Sequence, residues 1–327
     1  LARRRMKFLV RTLVAVLALL ATQAFVIALS ASSPESDVHQ DDRARTRYPI
    51  VLAHGMMGFD HLGPIQYWRA IPQRLKAHGA TVHVTQVSAF NTSEVRGQQL
   101  LEQVEAIVAR TGAGKVNLIG HSHGNQSIRY VAAMRPDLVA SVTSVTGATG
   151  GSEVADWLLD VDKTQPWLMS ILEWLARRLG HLINAAGGVD LPQDPRAGLR
   201  AVSSQGAAAF TKQYPAGVPV QPCDEGAHEV NGVRFYSWSG VGTFIRWANP
   251  ADPVMALTGL AFKKEASDGL VGRCASHLGQ VIRDDYPMNH LHAVNLFWGI
   301  VGPDIDPVEL FVAHGEPPAH LEPREVK

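Results

Sequence analysis

Short runs of consecutive apolar residues alternate along this chain with segments whose apolar positions recur at helical spacing. Ile50-Val51-Leu52-Ala53 is an uninterrupted run, the pattern of a strand covered on both faces. Gln66 to His78 has helical spacing and stops at Gly79, and Thr81 to Val87 is rich in β-branched residues and reads as a second strand. From Ser93 to Thr111, Leu100, Leu101, Val104, Ile107 and Val108 share one helix face, with Gly112 as the stop. Val116-Asn117-Leu118-Ile119 is a third strand running into Gly120, and Asn125 to Met134 is a helix ended by Arg135-Pro136. Val139 to Val145 and Val233 to Trp238 read as further strands. Such alternation predicts an α/β fold: a mostly parallel sheet with helices on both faces.

Three stretches depart from this rhythm. Arg3, Arg4, Arg5, Lys7 and Arg11 precede an apolar run from Leu13 to Leu29 and small residues at Ser30 to Ser33. A basic start, an apolar middle and a small-residue exit describe a secretory signal, assigned to residues 1–31 with cleavage between Leu29 and Ser33. As an uncleaved anchor the run would reach about 25 Å, short of a hydrocarbon core of roughly 30 Å. Residues 32–47 are polar and charged and are expected to be flexible; residues 303–327, rich in Pro, Glu and His, are expected to form an irregular tail. The third stretch lies between sheet strands. Leu168, Ile171, Leu172, Leu175, Leu179, Leu182 and Ile183 form one apolar stripe within 157–183, flanked by Trp157, Trp167 and Trp174. A packed core helix and a mobile lid over a site both fit that stripe.

Composition narrows the choice of function. Thirty basic residues balance thirty acidic ones, which argues against a general nucleic-acid binder. The two cysteines, Cys223 and Cys274, exclude a multi-cysteine zinc module, and in an exported protein they are expected to pair.

The chemistry concentrates at Gly120-His121-Ser122-His123-Gly124, which fits G-x-S-x-G with a strand leading in and a helix leading out. A sharp strand-to-helix turn presents the serine as a nucleophile, and the helix N-terminus offers N–H groups to an oxyanion. One oxyanion donor is then the backbone N–H of His123 and the other that of Met56, in the loop after the first strand. His54 reads as a hydrogen-bonded structural group. A base and an orienting acid should follow in the order Ser, Asp/Glu, His. His181, His228, His277, His290, His292, His314 and His320 all qualify as the base by position, as do Asp252, Asp268, Asp284 and Asp285 as the acid. Spacing does not choose among them.

With these residues in view, the chain resembles the family I secreted bacterial triacylglycerol lipases. The likeness rests on Tyr48-Pro49-Ile50-Val51-Leu52-Ala53-His54-Gly55-Met56, Asn117 to Gly124, Asp268-Gly269-Leu270-Val271-Gly272, Ser276-His277-Leu278-Gly279 and Met288-Asn289-His290-Leu291. It spans about Tyr48 to Gly299 and points to the branch that needs a dedicated foldase chaperone. The resemblance implies an α/β-hydrolase domain over 48–302 with a lid near 157–183. It also implies a Ser122–Asp268–His290 triad, oxyanion N–H groups on Met56 and His123, a Cys223–Cys274 bridge, and export through the periplasm. The implied reaction is acylglycerol ester hydrolysis at a lipid–water interface with no cofactor in the chemistry. A carboxylesterase for short soluble esters and a non-catalytic binding module on the same fold are the competing readings.

Three positions differ from the family. Its calcium ion is held by two aspartates where this chain has Asn249 and His292. Without those carboxylates a hard, oxygen-seeking cation loses its main attraction, so no family-type calcium site is expected, and direct hydrogen bonding or packing should hold the loop. Asn125 replaces a glycine behind the nucleophile, and Gly147-Ala148-Thr149-Gly150-Gly151 is worded differently near the mouth of the site.

Overall fold

The uninterrupted apolar runs become the centre of one seven-stranded sheet in the computed structural model, which describes residues 41–315, positions 247, 264 and 297 excepted. The strands are β1 (Ile50–Ala53), β2 (His61–Leu62), β3 (Ile65–Gln66), β4 (Val82–Thr85), β5 (Val116–His121), β6 (Val139–Val145), β7 (Glu229–Val230), β8 (Val233–Gly240) and β9 (Gln280–Tyr286). Their order is β4-β1-β5-β6-β8, with β7 and β9 both on β8, and β2 and β3 form a separate hairpin. All ladder pairs are parallel except those of β7 with β8 and β2 with β3.

Alternation across the pleat explains why the strands read as continuous apolar runs. Ile50 and Leu52 face one core layer with Trp68, Ile71, Leu75, Trp238, Val294, Phe311 and Val312. Val51 and Ala53 face the other, with Leu100, Val104, Ile128, Val131, Phe235 and Leu278. Both faces of β1 are covered, and its four residues are all apolar and buried.

Helices flank the sheet: α1 (Ile71–Ala77), α2 (Ser93–Thr111), α3 (Gly124–Met134), α4 (Glu153–Thr164), α5 (Pro166–Gly187), α6 (Pro195–Ala201), α7 (Ser204–Gln213), α8 (Asp252–Gly259) and α9 (Pro307–Gly315). Helix α2 has the expected bounds because its ends are locally encoded. Thr92 accepts the Val95 N–H at 3.2 Å, and Gly112 closes the other end in the left-handed region.

Four expectations change. The helix expected from Gln66 starts only at Ile71, because residues 65–66 are taken by the hairpin and Ala70 is left-handed. The segment 157–183 is two helices, α4 and α5, broken where Pro166 forces Gln165 out of helical geometry, while the stripe from Leu168 to Ile183 lies wholly on α5 as expected. The tail expected to be irregular from 303 instead contains α9. Its Phe311 is 1% exposed and sits edge-on to both Trp68 and Trp238. Finally, residues 41–47 of the stretch expected to be flexible are docked. Ala44 is fully buried and donates to the His78 carbonyl, and Asp41 bonds the His78 ring. The expected signal at residues 1–31, its cleavage point and residues 316–327 lie outside the described residues.

Cys223 and Cys274 form a disulfide, tying the segment before β7 to the turn before β9 across a separation of 51 residues.

Candidate active site

Strand register puts three loops side by side at the carboxyl end of the sheet. Ala53 pairs with Gly120, and His121 with Val145, so the loop starting at His54 lies beside the turn at Ser122. Ligand crevices in open α/β sheets occur at this end. Ser122 has φ 57°, in the left-handed region, which costs a non-glycine residue roughly 1–2 kcal/mol. The turn is tight enough that a Cβ on Gly120 would come within 2.5 Å of the Gly124 carbonyl oxygen. Helix α3 begins directly after it and carries the buried Ile128 and Val131 that fix it to the sheet. Ser122 is half-buried, and His123 fully buried at the helix start.

The loop carrying Met56 is held by a buried cation. Arg96, from α2, is 0% exposed and donates to the carbonyls of His54 (2.7 Å), Gly55 (3.1 Å) and Ser88. Burial lowers its pKa to about 10, leaving it charged at neutral pH. His54 accepts the Val87 N–H at Nε2 and donates from Nδ1 to the Gly55 carbonyl, the structural role its position suggested. Gly55 lies directly against Ser122, since a Cβ there would stand 2.7 Å from the Ser122 Cβ. Met56 is half-buried and packs with Phe59, Phe90 and Ile183, so α5 rests on this loop.

Asp268 and His290 meet from different loops. His290 Nδ1 lies 2.7 Å from Asp268 Oδ2, and both side chains are buried. Asp268 Oδ1 accepts the N–H groups of Leu270 (2.9 Å) and Val271 (2.7 Å), and its carbonyl accepts the His290 N–H. The His290 ring lies 4.6 Å from that of His121, the residue before Ser122. Among the described residues Ser122 makes no hydrogen bond with the His290 ring; such bonds often tighten only with substrate bound.

A hydrogen-bonded path joins these parts. Gly55 N–H donates to the Tyr67 hydroxyl (2.9 Å), which donates to His121 Nδ1 (2.6 Å). His121 Nε2 then carries the proton and donates to the His290 carbonyl (2.9 Å). Burial holds the His121 and His123 rings well below the usual histidine range, so both stay neutral.

Comparison with known proteins decides the family. A family model described as the alpha/beta hydrolase fold matches residues 48–293. The chain is 49% identical to a triacylglycerol lipase of Vibrio cholerae over 301 residues, covering 91% of this chain and 96% of that one. It is 42% identical to a triacylglycerol lipase of Pseudomonas fragi over 84% of this chain and 97% of the other. The chain belongs to the bacterial triacylglycerol-lipase family. Among solved structures, a lipase of Bacillus licheniformis in its mature form superposes with a TM-score of 0.53 at 17% identity, covering 78% of this chain and 89% of that one, a likeness of fold. The family places this chain among the serine-type ester hydrolases of the α/β-hydrolase superfamily.

A second His–Asp pair lies close to the first in this lipase-family chain. His292 Nε2 is 3.0 Å from Asp252 Oδ1, and both residues are almost fully buried. Burial lowers the His292 pKa against the opposing pull of Asp252. Its Nδ1 is sealed from solvent and finds no hydrogen-bond partner among the described residues, so neither nitrogen is open to a substrate.

The same residues bear on calcium. The two positions where the resemblance calls for carboxylates are Asn249 and His292, whose Nδ2 and Nε2 lie 2.8 Å apart. The neighbouring carboxylate, Asp252, already accepts from the N–H groups of Ile245 and Arg246 and from Asn289. A calcium ion takes six to eight oxygens, and the donor set here offers nitrogen and a saturated carboxylate. The residues present do not fit the ion.

Tyr67, Arg96, His121 and Asp252 carry the site's internal bonding and were not singled out for it from the sequence. His121 stood inside the nucleophile motif and Asp252 among the candidate acids; Tyr67 and Arg96 gave no signal.

Proposed function

We propose that this chain is a secreted triacylglycerol lipase, with Ser122 as nucleophile, His290 as base and Asp268 as the acid that orients it. The observation that carries the reading is the His290–Asp268 bond of 2.7 Å beside the left-handed turn at Ser122. Asp268 engages Nδ1 and so leaves His290 Nε2 to accept the Ser122 proton as Oγ attacks the ester carbonyl. The tetrahedral oxyanion is stabilised by the N–H groups of Met56 and His123, held in place by Arg96 and by the start of α3. His290 then protonates the departing alcohol, and water repeats the sequence on the acyl-enzyme.

Substrate class rests on α4 and α5. Trp167, Ile171, Trp174, Leu175 and Leu182 are exposed together on α5, and α5 packs on the Met56 loop. This supports a lid that meets lipid and uncovers the acyl site. The disulfide supports an oxidising destination, reached with residues 1–31 as the export signal and a foldase chaperone as folding partner.

The test is hydrolysis of a triacylglycerol series, emulsified and soluble, by wild type and Ser122→Ala. Wild type should prefer emulsified long-chain substrate, and the variant should lose at least about a thousandfold in kcat. A preference for short soluble esters would make the chain a carboxylesterase, and an active Ser122→Ala would remove the nucleophile. Expression with and without a cognate foldase tests the partner, and N-terminal sequencing of the exported protein tests the signal.

A further inference from the structure

Little regular structure holds the loop that carries His290: among the described residues between β9 and α9 there is only one short 3-10 turn, His292–Val294. Side chains fasten it instead, and they converge on one buried carboxylate. Asp252 Oδ2 accepts the N–H groups of Ile245 (2.6 Å) and Arg246 (2.5 Å). Its Oδ1 accepts from Asn289 Nδ2 (2.8 Å) and lies 3.0 Å from His292 Nε2, which is also 2.8 Å from Asn249 Nδ2. Asn289 Oδ1 turns back to accept the N–H groups of Leu291 (3.1 Å) and His292 (2.9 Å). The residue before His290 and the residue two after it therefore both hang from the same anion. Asn249 completes the arrangement: its Oδ1 accepts the Ala251 N–H, and its Nδ2 donates to the Ile300 carbonyl on the far side of the loop. Asn249, Asp252, Asn289 and His292 are each at most 1% exposed.

We propose that Asp252 and His292 are positioning residues for His290, forming a clasp that needs no metal. A divalent cation fastens a loop by drawing oxygens from several segments to one point. Asp252 does the same with the opposite sign, drawing N–H groups from the 245–246 turn and the 289–292 loop to one carboxylate in a dry interior. The imidazole of His292 fills the position of a carboxylate that would compete with Asp252 for the same donors, and two neighbouring anions could not share that space without a cation between them. The proposal takes His290 as the catalytic base, as above.

Three measurements test it. In wild type the proton shared by His290 Nδ1 and Asp268 should give a far-downfield proton resonance. That signal, kcat and the thermal midpoint should all be unchanged by chelator or by added calcium. Asp252→Asn should lower kcat by roughly 10- to 100-fold with KM within about twofold, and should broaden or remove the downfield resonance. His292→Gln, which keeps an N–H for Asp252, should stay within about threefold of wild type, whereas His292→Leu should fall at least about tenfold. The double variant Asn249→Asp, His292→Asp should acquire a thermal midpoint that chelator lowers and calcium restores. A wild type whose resonance and midpoint collapse in chelator and return with calcium would overturn the clasp. So would an Asp252→Asn protein with native kcat and resonance. The resonance is read without substrate, so it reports on the clasp even if Ser122→Ala were to show that the nucleophile lies elsewhere.

Discussion

Acidification from pH 7.5 to pH 5 should cost this protein about 2 kcal/mol of folding stability through His54 alone. The His54 ring is fully buried, and both nitrogens are committed in the neutral form, Nδ1–H to the Gly55 carbonyl and Nε2 to the Val87 N–H. Burial, reinforced by the Arg96 guanidinium, lowers its pKa from 6.5 to about 3. In the unfolded chain the same ring takes up a proton below 6.5, so across that window the unfolded state binds more protons and stability rises with pH. The contribution is complete above pH 6.5, shrinks by about 1.4 kcal/mol per pH unit below it, and levels off once the folded ring protonates near pH 3. At pH 5 the shortfall is about 1.5 units, hence about 2 kcal/mol. Urea unfolding of wild type and His54→Gln at both pH values isolates this effect. Glutamine accepts a hydrogen bond but takes no proton, and every other acid-sensitive group cancels in the difference. Wild type should lose about 2 kcal/mol more than the variant. Equal losses, or a His54 resonance titrating near its ordinary value in the folded protein, would refute the reasoning.

Other perturbations reach other parts of the molecule. Phe311→Ala removes a ring packed between Trp68 and Trp238 and should cost about 3–5 kcal/mol, lowering the thermal midpoint by roughly 10 °C in calorimetry. Reducing the Cys223–Cys274 bridge, which closes a separation of 51 residues, should cost up to about 4 kcal/mol in denaturant titrations, and no shift in midpoint would count against it. Replacing Trp167 and Trp174 with serine should leave the thermal midpoint and the rate on a short soluble ester within about twofold, because both are more than half exposed. The rate on emulsified triacylglycerol should fall, and equal loss on both substrates would argue against an interfacial role.

Legibility in the sequence followed the distance over which each feature is encoded. Helix α2 was readable to the residue because Thr92 and Gly112 end it locally. The turn at Ser122 was readable because strand, glycines and helix are contiguous. Choosing Asp268 and His290 from their lists was beyond spacing, since both pairs, 268–290 and 252–292, use the same residue types, and only their surroundings separate them. Helix α9 was hidden by the Pro, Glu and His around it; Phe311 and Val312 became core residues because two tryptophans distant in sequence leave room for them. Arg96 looked like one more polar residue on α2, and its buried role is set by carbonyls of the β1 loop, 41 and 42 positions away.

The path from Gly55 through Tyr67 and His121 to the His290 carbonyl also sets an order in time. Its last link joins residues 169 positions apart. A ribosome releases the Ser122 turn and the Met56 loop long before His290, so a nascent or truncated chain ending short of residue 290 lacks the last link of this path. The Asp268–His290 pair therefore forms only once the segment after β9 has emerged. Until then His121 lacks both the carbonyl it bonds and the ring it packs against.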